Sequence, residues 1–482
     1  MDGTQPCAGA TILSREGFTL GSMITGMIAF CKRLPLPVVV FLVLLFAQTC
    51  PLTAADSLKW RKDQSRVDAD IKSWTLIQLL ERVALSTGWE VYLDPGASHT
   101  VSVRFNDLPS GEALHALLGD LNFVVIPRTS GPSQLYVFRS SQDQATRLIK
   151  APALKAGQPI PNQLVVKLKP GSRTKIDDLA RALGARVIGR MDAQNTYLLE
   201  FDDEAATESA REKLLENPDV ESVDSNYTVL RPPAPSLSQS AAADLQLQPR
   251  SNDSNCQLVI GLIDTPVQSL GSNLNAFVKP SISVAGDSSV PPNQLTHGTA
   301  MAETILRALQ AKSGGSTSVR IQPVDIYGNS EATSTFNVAA GIVQAVNNGA
   351  NIINLSLGSS GNSQLLHNTI TEVSKQGIPI YAAAGNEPVT TPTYPAAFPE
   401  VIAVTASDRS GEIASYANRG SFVKVIAPGD NVVSFNGQNY LVQGTSTSTA
   451  LASGMAAGLA DSAHACADQA QALLQKALAP AK

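Results

Sequence analysis

The sequence of 482 residues contains only five cysteines, and Cys7, Cys31 and Cys50 all fall within the first 55 residues. A disulfide-dense scaffold is therefore excluded, and only Cys256 and Cys466 remain for the rest of the chain. Charge is also sparse. Lys, Arg, Asp and Glu make up 16% of the residues, the formal net charge is −5 and no basic cluster occurs, so nucleic acid is not an expected partner. No internal repeat is evident, which sets aside solenoids and propellers. The apolar run from Leu34 to Ala47 is shorter than the ~20 residues of a membrane span. Hydrophobic content of 43% is ordinary and sufficient for a full core. On a prior of about 150 residues per domain, the length suggests about three domains.

The apolar run has a basic flank, Lys32-Arg33, and is followed by Thr53-Ala54-Ala55, so residues 1–55 read as a secretory signal region cleaved near Ala55. An uncleaved anchor is the alternative. Met23 and Met27 are alternative starts, since the polar stretch before the run is long. Residues 64–142 read as a small α+β domain. Leu76, Leu79, Leu80, Val83 and Ala84 form a helical stripe stopped by Gly88, and Ser110 to Leu118 forms a second helix. Trp89–Leu93 and Thr100–Phe105 alternate as strands, and two further strands follow the second helix. Residues 160–230 repeat the plan as a βαββαβ pattern, with helices over 175–183 and 204–215. Arg231 to Asn255, rich in Pro, Ser, Ala and Gln, reads as a flexible linker.

Chemistry concentrates in residues 256–482. A serine hydroxyl needs a base, a group that orients the base, and donors for the developing oxyanion. Ser446 lies in GTSTSTALASG at the head of a small-residue helix. Asp264 ends the apolar strand VIGLID, His297 opens a helix in THGTAMAE, and Asn386 follows the strand IPIYAAAG. Each has a bland reading taken singly, Asn after Gly above all, which is commonly a turn residue. His367 and His464 compete for the base role but lie in no motif.

Together with APG at 427–429 and TYPAAFPEVIAVTA at 393–406, the order Asp, His, Asn, Ser resembles the subtilisin-like serine proteases. The resemblance implies a parallel-sheet α/β catalytic domain preceded by two small α+β (βαββαβ-like) domains. It further implies Ser446 as nucleophile, His297 as base, Asp264 as orienter, and an oxyanion hole from Asn386 and the Ser446 N–H. Ser356, Leu357, Gly358 and Ala383, Ala384, Gly385 resemble the two walls of the family's substrate pocket. The substrate is then a peptide or protein, and Glu387 at the rim suits basic side chains. Residues 160–230 resemble the family's inhibitory propeptide, making the chain's own propeptide a partner and self-cleavage within 231–255 an expectation. Residues 64–142 resemble the short N-terminal domain of secretins and TonB-dependent receptors, which implies docking to an envelope or secretion-system protein. Since Asp264 and Ser446 must converge on His297, Cys256 and Cys466 are a disulfide candidate, with two separate thiols as the alternative.

Three positions depart from the family. Pro266 stands where Gly is usual, fixing φ and deleting an N–H just after Asp264. Ala300 and Ala450 replace a His and a Pro that do not carry the chemistry. The stretch from Glu303 to Val324 is too short to imply a calcium loop, and no cofactor or metal is expected. The competing class is a protease fold kept for binding in a secretion apparatus, for which Pro266 is the best support.

Overall fold

The computed structural model describes residues 57–61, 65–128, 131–149, 155–251, 256–271 and 273–478. The expected signal region lies outside the described residues. Among those described, no helix is long and apolar enough to cross a membrane.

The N-terminal domain comprises β1 (Ser57–Arg61), β2 (Arg66–Thr75), α1 (Leu76–Thr87), β3 (Glu90–Leu93), β4 (Thr100–Pro109), α2 (Ser110–Leu118), β5 (Asn122–Ile126), β6 (Gln134–Phe138) and β7 (Arg147–Ile149). The strands form two sheets, β1-β2-β4 and β5-β6-β3-β7. Thr75 opens α1 with a capping box closed by Gln78, and Gly88 stops it at φ +73. The expected stripe of Leu76, Leu79, Leu80, Val83 and Ala84 is buried in this domain's own core.

The middle domain runs β8 (Pro159–Leu168), α3 (Ile176–Ala182), β9 (Arg186–Met191), β10 (Thr196–Glu200), α4 (Glu204–Glu216) and β11 (Val220–Leu230). Its antiparallel sheet has the order β11-β8-β10-β9. One face packs Leu164, Val166 and Leu199 with residues of its own helices, including Ala180 and Leu214.

The linker contains β12 (Ser236–Leu237) and β13 (Gln248–Pro249). The domain expected to be catalytic follows with β14 (Val259–Asp264), β15 (Ile282–Ser283), α5 (His297–Lys312), β16 (Ser316–Thr317), β17 (Arg320–Asp325), β18 (Ala332–Ser334), α6 (Thr335–Asn347), β19 (Ile352–Leu355), α7 (Gln364–Ser374) and β20 (Ile380–Ala383). It ends with β21 (Ile402–Ser407), β22 (Val423–Pro428), β23 (Asp430–Phe435), β24 (Gln438–Gln443), α8 (Thr445–Ser462) and α9 (Ala467–Leu478). Seven strands form a parallel sheet in the order β15-β17-β14-β19-β20-β21-β22. Every residue of β14 is buried, as a strand covered on both faces requires. Ile260 and Leu262 join the core formed with α5 and α8, whereas Val259 and Ile263 join the core formed with α6 and α7. Small residues let α8 approach α5 closely: a Cβ on Gly454 would lie 2.8 Å from Ala308 Cβ.

The middle domain's other face is completed by the catalytic domain. Val165, Met191 and Leu198 share a core with Phe336, Leu366 and Ile370 of α6 and α7. Strand β11 pairs antiparallel with β18, so the middle sheet continues into the catalytic domain. Asn226 Oδ1 accepts from Phe336 N at the start of α6 (3.0 Å), and Asp224 Oδ2 accepts from Leu365 N at the start of α7 (3.1 Å). One strand thus satisfies orphan donors of two helices.

The expectation of a flexible linker is corrected for the described residues 231–251. Arg231 N donates to Glu331 O (2.9 Å), Ser236 and Leu237 pair with Leu441 and Tyr440, and Gln248 and Pro249 pair with Ser316 and Thr317. Arg250 then meets buried Asp461 at 2.9 Å. Composition reported the small polar side chains of this stretch, but its order comes from backbone pairing with the catalytic domain. A disulfide joins Cys256 to Cys466, with Cα atoms 5.2 Å apart.

Candidate active site

Asp264 ends β14, and the loop after it packs directly on the first turn of α5. Thr265 Oγ1 accepts from Gly298 N (2.8 Å), and Thr296 Oγ1 donates to Pro266 O (2.6 Å). A Cβ on Gly298 would fall 2.2 Å from Thr265 O, so only glycine permits this approach. The result is His297 Nδ1 at 2.9 Å from both oxygens of Asp264, with both residues buried. Pro266 does not displace the carboxylate: the loop uses its carbonyl, and the missing N–H is not needed. Such a pair fixes the imidazole tautomer and stabilises its charged form.

Ser446 stands one residue inside α8. Its hydroxyl donates to Ser356 O (3.0 Å), while Ser356 Oγ donates to Ser446 O (3.0 Å). Asn354 Nδ2 supports Ser356 Oγ (3.0 Å), and Ser453 Oγ supports Asn354 Oδ1 (2.9 Å). A buried polar chain therefore locks the pocket wall to the serine helix. Among the described residues, the Ser446 hydroxyl bonds to that wall and not to His297, so proton transfer to His297 requires that this bond be exchanged.

Asn386 is exposed beside this helix start. Its Oδ1 accepts from Thr445 N (2.8 Å) and Thr445 Oγ1 (3.0 Å), which fixes the amide with Nδ2 as its donor. Gly444, at φ +139, makes room: a Cβ there would lie 3.0 Å from Asn386 Nδ2.

The expected walls extend β19 and β20. Leu357 and Ala384 are buried. Ser359 and Tyr394 exchange backbone hydrogen bonds at 2.8 and 2.7 Å, closing the base of the first wall. Gly385 takes φ +111, where a Cβ would lie 2.5 Å from Asn418 Nδ2. The competing histidines lie elsewhere in the interactions they make. His367 meets Glu400 at 3.2 Å and stacks on Phe398, and His464 follows the end of α8.

Sequence reasoning missed Thr265, Thr296, Asn354, Thr445 and Ser453. Asn354 carried a signal, being an amide inside the apolar strand 352–355. Tyr327 was missed as well. Burial, with Asp264 next in effect, holds its phenol well above the ordinary range, so it acts as a neutral donor, to Leu230 O (3.0 Å). No group of three or more His, Cys, Asp or Glu suited to a metal occurs among the described residues.

A model of the subtilase family matches residues 256–479, and a model of the fervidolysin N-terminal prodomain matches residues 145–226. The secretin and TonB-receptor resemblance expected for residues 64–142 is not supported by these matches, and no envelope partner is inferred from it. M-protease of Shouchella clausii (strain KSM-K16) is 32% identical over 188 residues, covering 37% of this chain and 50% of that protein. The chain thus spans about half the length of that curated relative. The crystal structure of fervidolysin from Fervidobacterium pennivorans, a keratinolytic enzyme related to subtilisin, aligns with a TM-score of 0.51 at 19% identity. It covers 64% of this chain and 56% of that one, a likeness of fold alone. Subtilisin Savinase of Lederbergia lenta is 32% identical over 188 residues, 37% of this chain and 70% of that protein. At that identity and coverage, and on the parallel sheet described above, the chain belongs to the subtilase family.

Proposed function

We propose that this chain is an exported serine endopeptidase, held latent by its middle domain until the linker is cut. The buried Asp264–His297 pair, at the head of a helix packed closely against the helix that Ser446 begins, carries the reading. Ser446 Oγ attacks the peptide carbonyl, and His297 takes its proton and returns it to the leaving amine. Asp264 stabilises the imidazolium, and Asn386 Nδ2 with the Ser446 N–H receives the oxyanion. Water then releases the acyl group. Ser356–Gly358 and Ala383–Gly385 pair with the substrate backbone as neighbouring strands.

A fluorophosphonate probe tests the reading. Mature protein should be labelled, and Ser446→Ala should abolish both labelling and conversion of the precursor in a protease-free preparation. An unlabelled mature protein would instead establish a binding scaffold, the reading under which the Ser446 bond to Ser356 O is a resting arrangement with no catalytic successor.

A further inference from the structure

From β11 the chain crosses from β18 to β24. Thr228, Val229 and Leu230 pair with Ser334, Thr333 and Ala332. This edge belongs to Asp264's side of the cleft, since Ile326 N donates to Asp264 O (3.1 Å) just ahead of Tyr327. Six residues after Leu230, Ser236 pairs with Leu441, in the strand that leads through Gly444 to Ser446. The tail thus joins β18, beside Asp264, to β24, which leads to Ser446, the course open to an extended substrate.

At the entrance Arg231 occupies a built site. Its Nε donates to Ser330 O (2.8 Å), its Nη2 donates to Gly328 O (2.6 Å), and its guanidinium lies 5.4 Å from the centre of the Tyr327 ring. The receiving loop is held by its own bonds. Asp325 Oδ1 accepts from Tyr327 N (2.9 Å) and Gly328 N (3.0 Å), and Ser330 N donates to Tyr327 O (3.0 Å). Gly328 takes φ +56, and a Cβ there would lie 2.9 Å from Ala285 O. When the tail departs, two carbonyls and an aromatic face remain aimed at the cleft. Planar guanidinium satisfies all three at once, whereas an ammonium point charge does not.

The geometry points to a specificity site for an arginine side chain on the acyl side of the cut bond, formed by Tyr327 with the carbonyls of Gly328 and Ser330. Arg231 fills it in the precursor, and an arginine of the substrate fills it afterwards. The inference rests on the hydrolytic reading of Ser446. Mature enzyme is tested on a peptide library whose cut sites are sequenced, followed by the best peptide with arginine replaced by citrulline. Arginine should be enriched at one acyl-side position, and citrulline should lower kcat/KM by roughly tenfold, mainly through KM. Tyr327→Leu should shrink the arginine-to-citrulline ratio of kcat/KM. Equal cutting of the arginine and citrulline peptides overturns the site but leaves hydrolysis standing, whereas failure to cut any peptide overturns both.

A second inference rests on the residues between the two pairings. Positions 232–235 read Pro-Pro-Ala-Pro. Three of these four residues lack an N–H, so the stretch cannot lie in the cleft as a fully paired strand, the arrangement that would hold a scissile bond against Ser446. We infer that the tail is not cut in place, and that a second copy makes the first cut beyond residue 235. In purified wild-type precursor, the fractional rate of conversion should rise with concentration. Replacing Pro232, Pro233 and Pro235 with alanine should give concentration-independent cutting between residues 231 and 236. Concentration-independent cutting of the wild type at that place would overturn the inference.

Discussion

The two small domains ahead of the catalytic domain use the same materials to different ends. The N-terminal domain buries Leu79, Leu80, Leu93, Leu114 and Val137 among its own residues. The middle domain closes one face with its own helices and leaves Val165, Met191 and Leu198 to be covered by α6 and α7. Burial inside a domain commits it only to itself. Burial against a neighbour makes docking part of the fold, as the proposed latency of the precursor requires.

All three tryptophans, Trp60, Trp74 and Trp89, belong to the N-terminal domain, so fluorescence follows that domain alone. The largest expected effect is on the other side of the comparison. The Cys256–Cys466 bridge spans 210 residues, and chain entropy for a loop of that size is about 5 kcal/mol. Replacing both cysteines with serine should lower catalytic-domain stability by up to that amount in denaturant followed by circular dichroism, leaving the tryptophan transition in place. Next, Leu79→Ala should destabilise the N-terminal domain by about 2–5 kcal/mol, read by fluorescence, with no increase in peptide hydrolysis by the precursor. A rise in hydrolysis would show that the two domains are coupled. Smaller again is the loss of both caps. Asp224→Ala with Asn226→Ala should weaken docking by about 2 kcal/mol, seen as roughly thirtyfold more hydrolysis of a small peptide by uncut precursor.

The smallest effect is one of acid. The Arg139 side chain, followed by the Gly96 N–H, holds the Asp94 carboxyl below its ordinary range. A carboxylate lowered in the folded state stabilises it above the unfolded value and loses that contribution as pH falls through the folded one. Tryptophan fluorescence should therefore report a loss of stability below about pH 4, and Asp94→Asn should flatten this dependence.

The motif-bearing elements were legible because each is an apolar strand or small-residue helix whose polar end residue has no packing role. β14 with Asp264, α5 with His297 and α8 with Ser446 all follow that rule. Polar contacts between distant segments were not legible. The Ser453–Asn354–Ser356–Ser446 chain exists only once β19 lies beside α8. The linker strands are two residues long, too short for any periodicity, and their order resides in the partners. Pro266 looked disruptive because its missing donor was visible and the use of its carbonyl by Thr296 was not.

The linker grips unequally at its two ends. Downstream, Arg250 is fastened to Asp461 and the chain is soon joined covalently through Cys256; upstream, Arg231 and the middle domain hold by packing and hydrogen bonds alone. A single cut between them leaves the downstream piece in place and turns the upstream contact from intramolecular to bimolecular. Under the proposed latency, the upstream piece's effective concentration, about millimolar for a short tether, then falls to its actual concentration. Dilution would complete what the cut began.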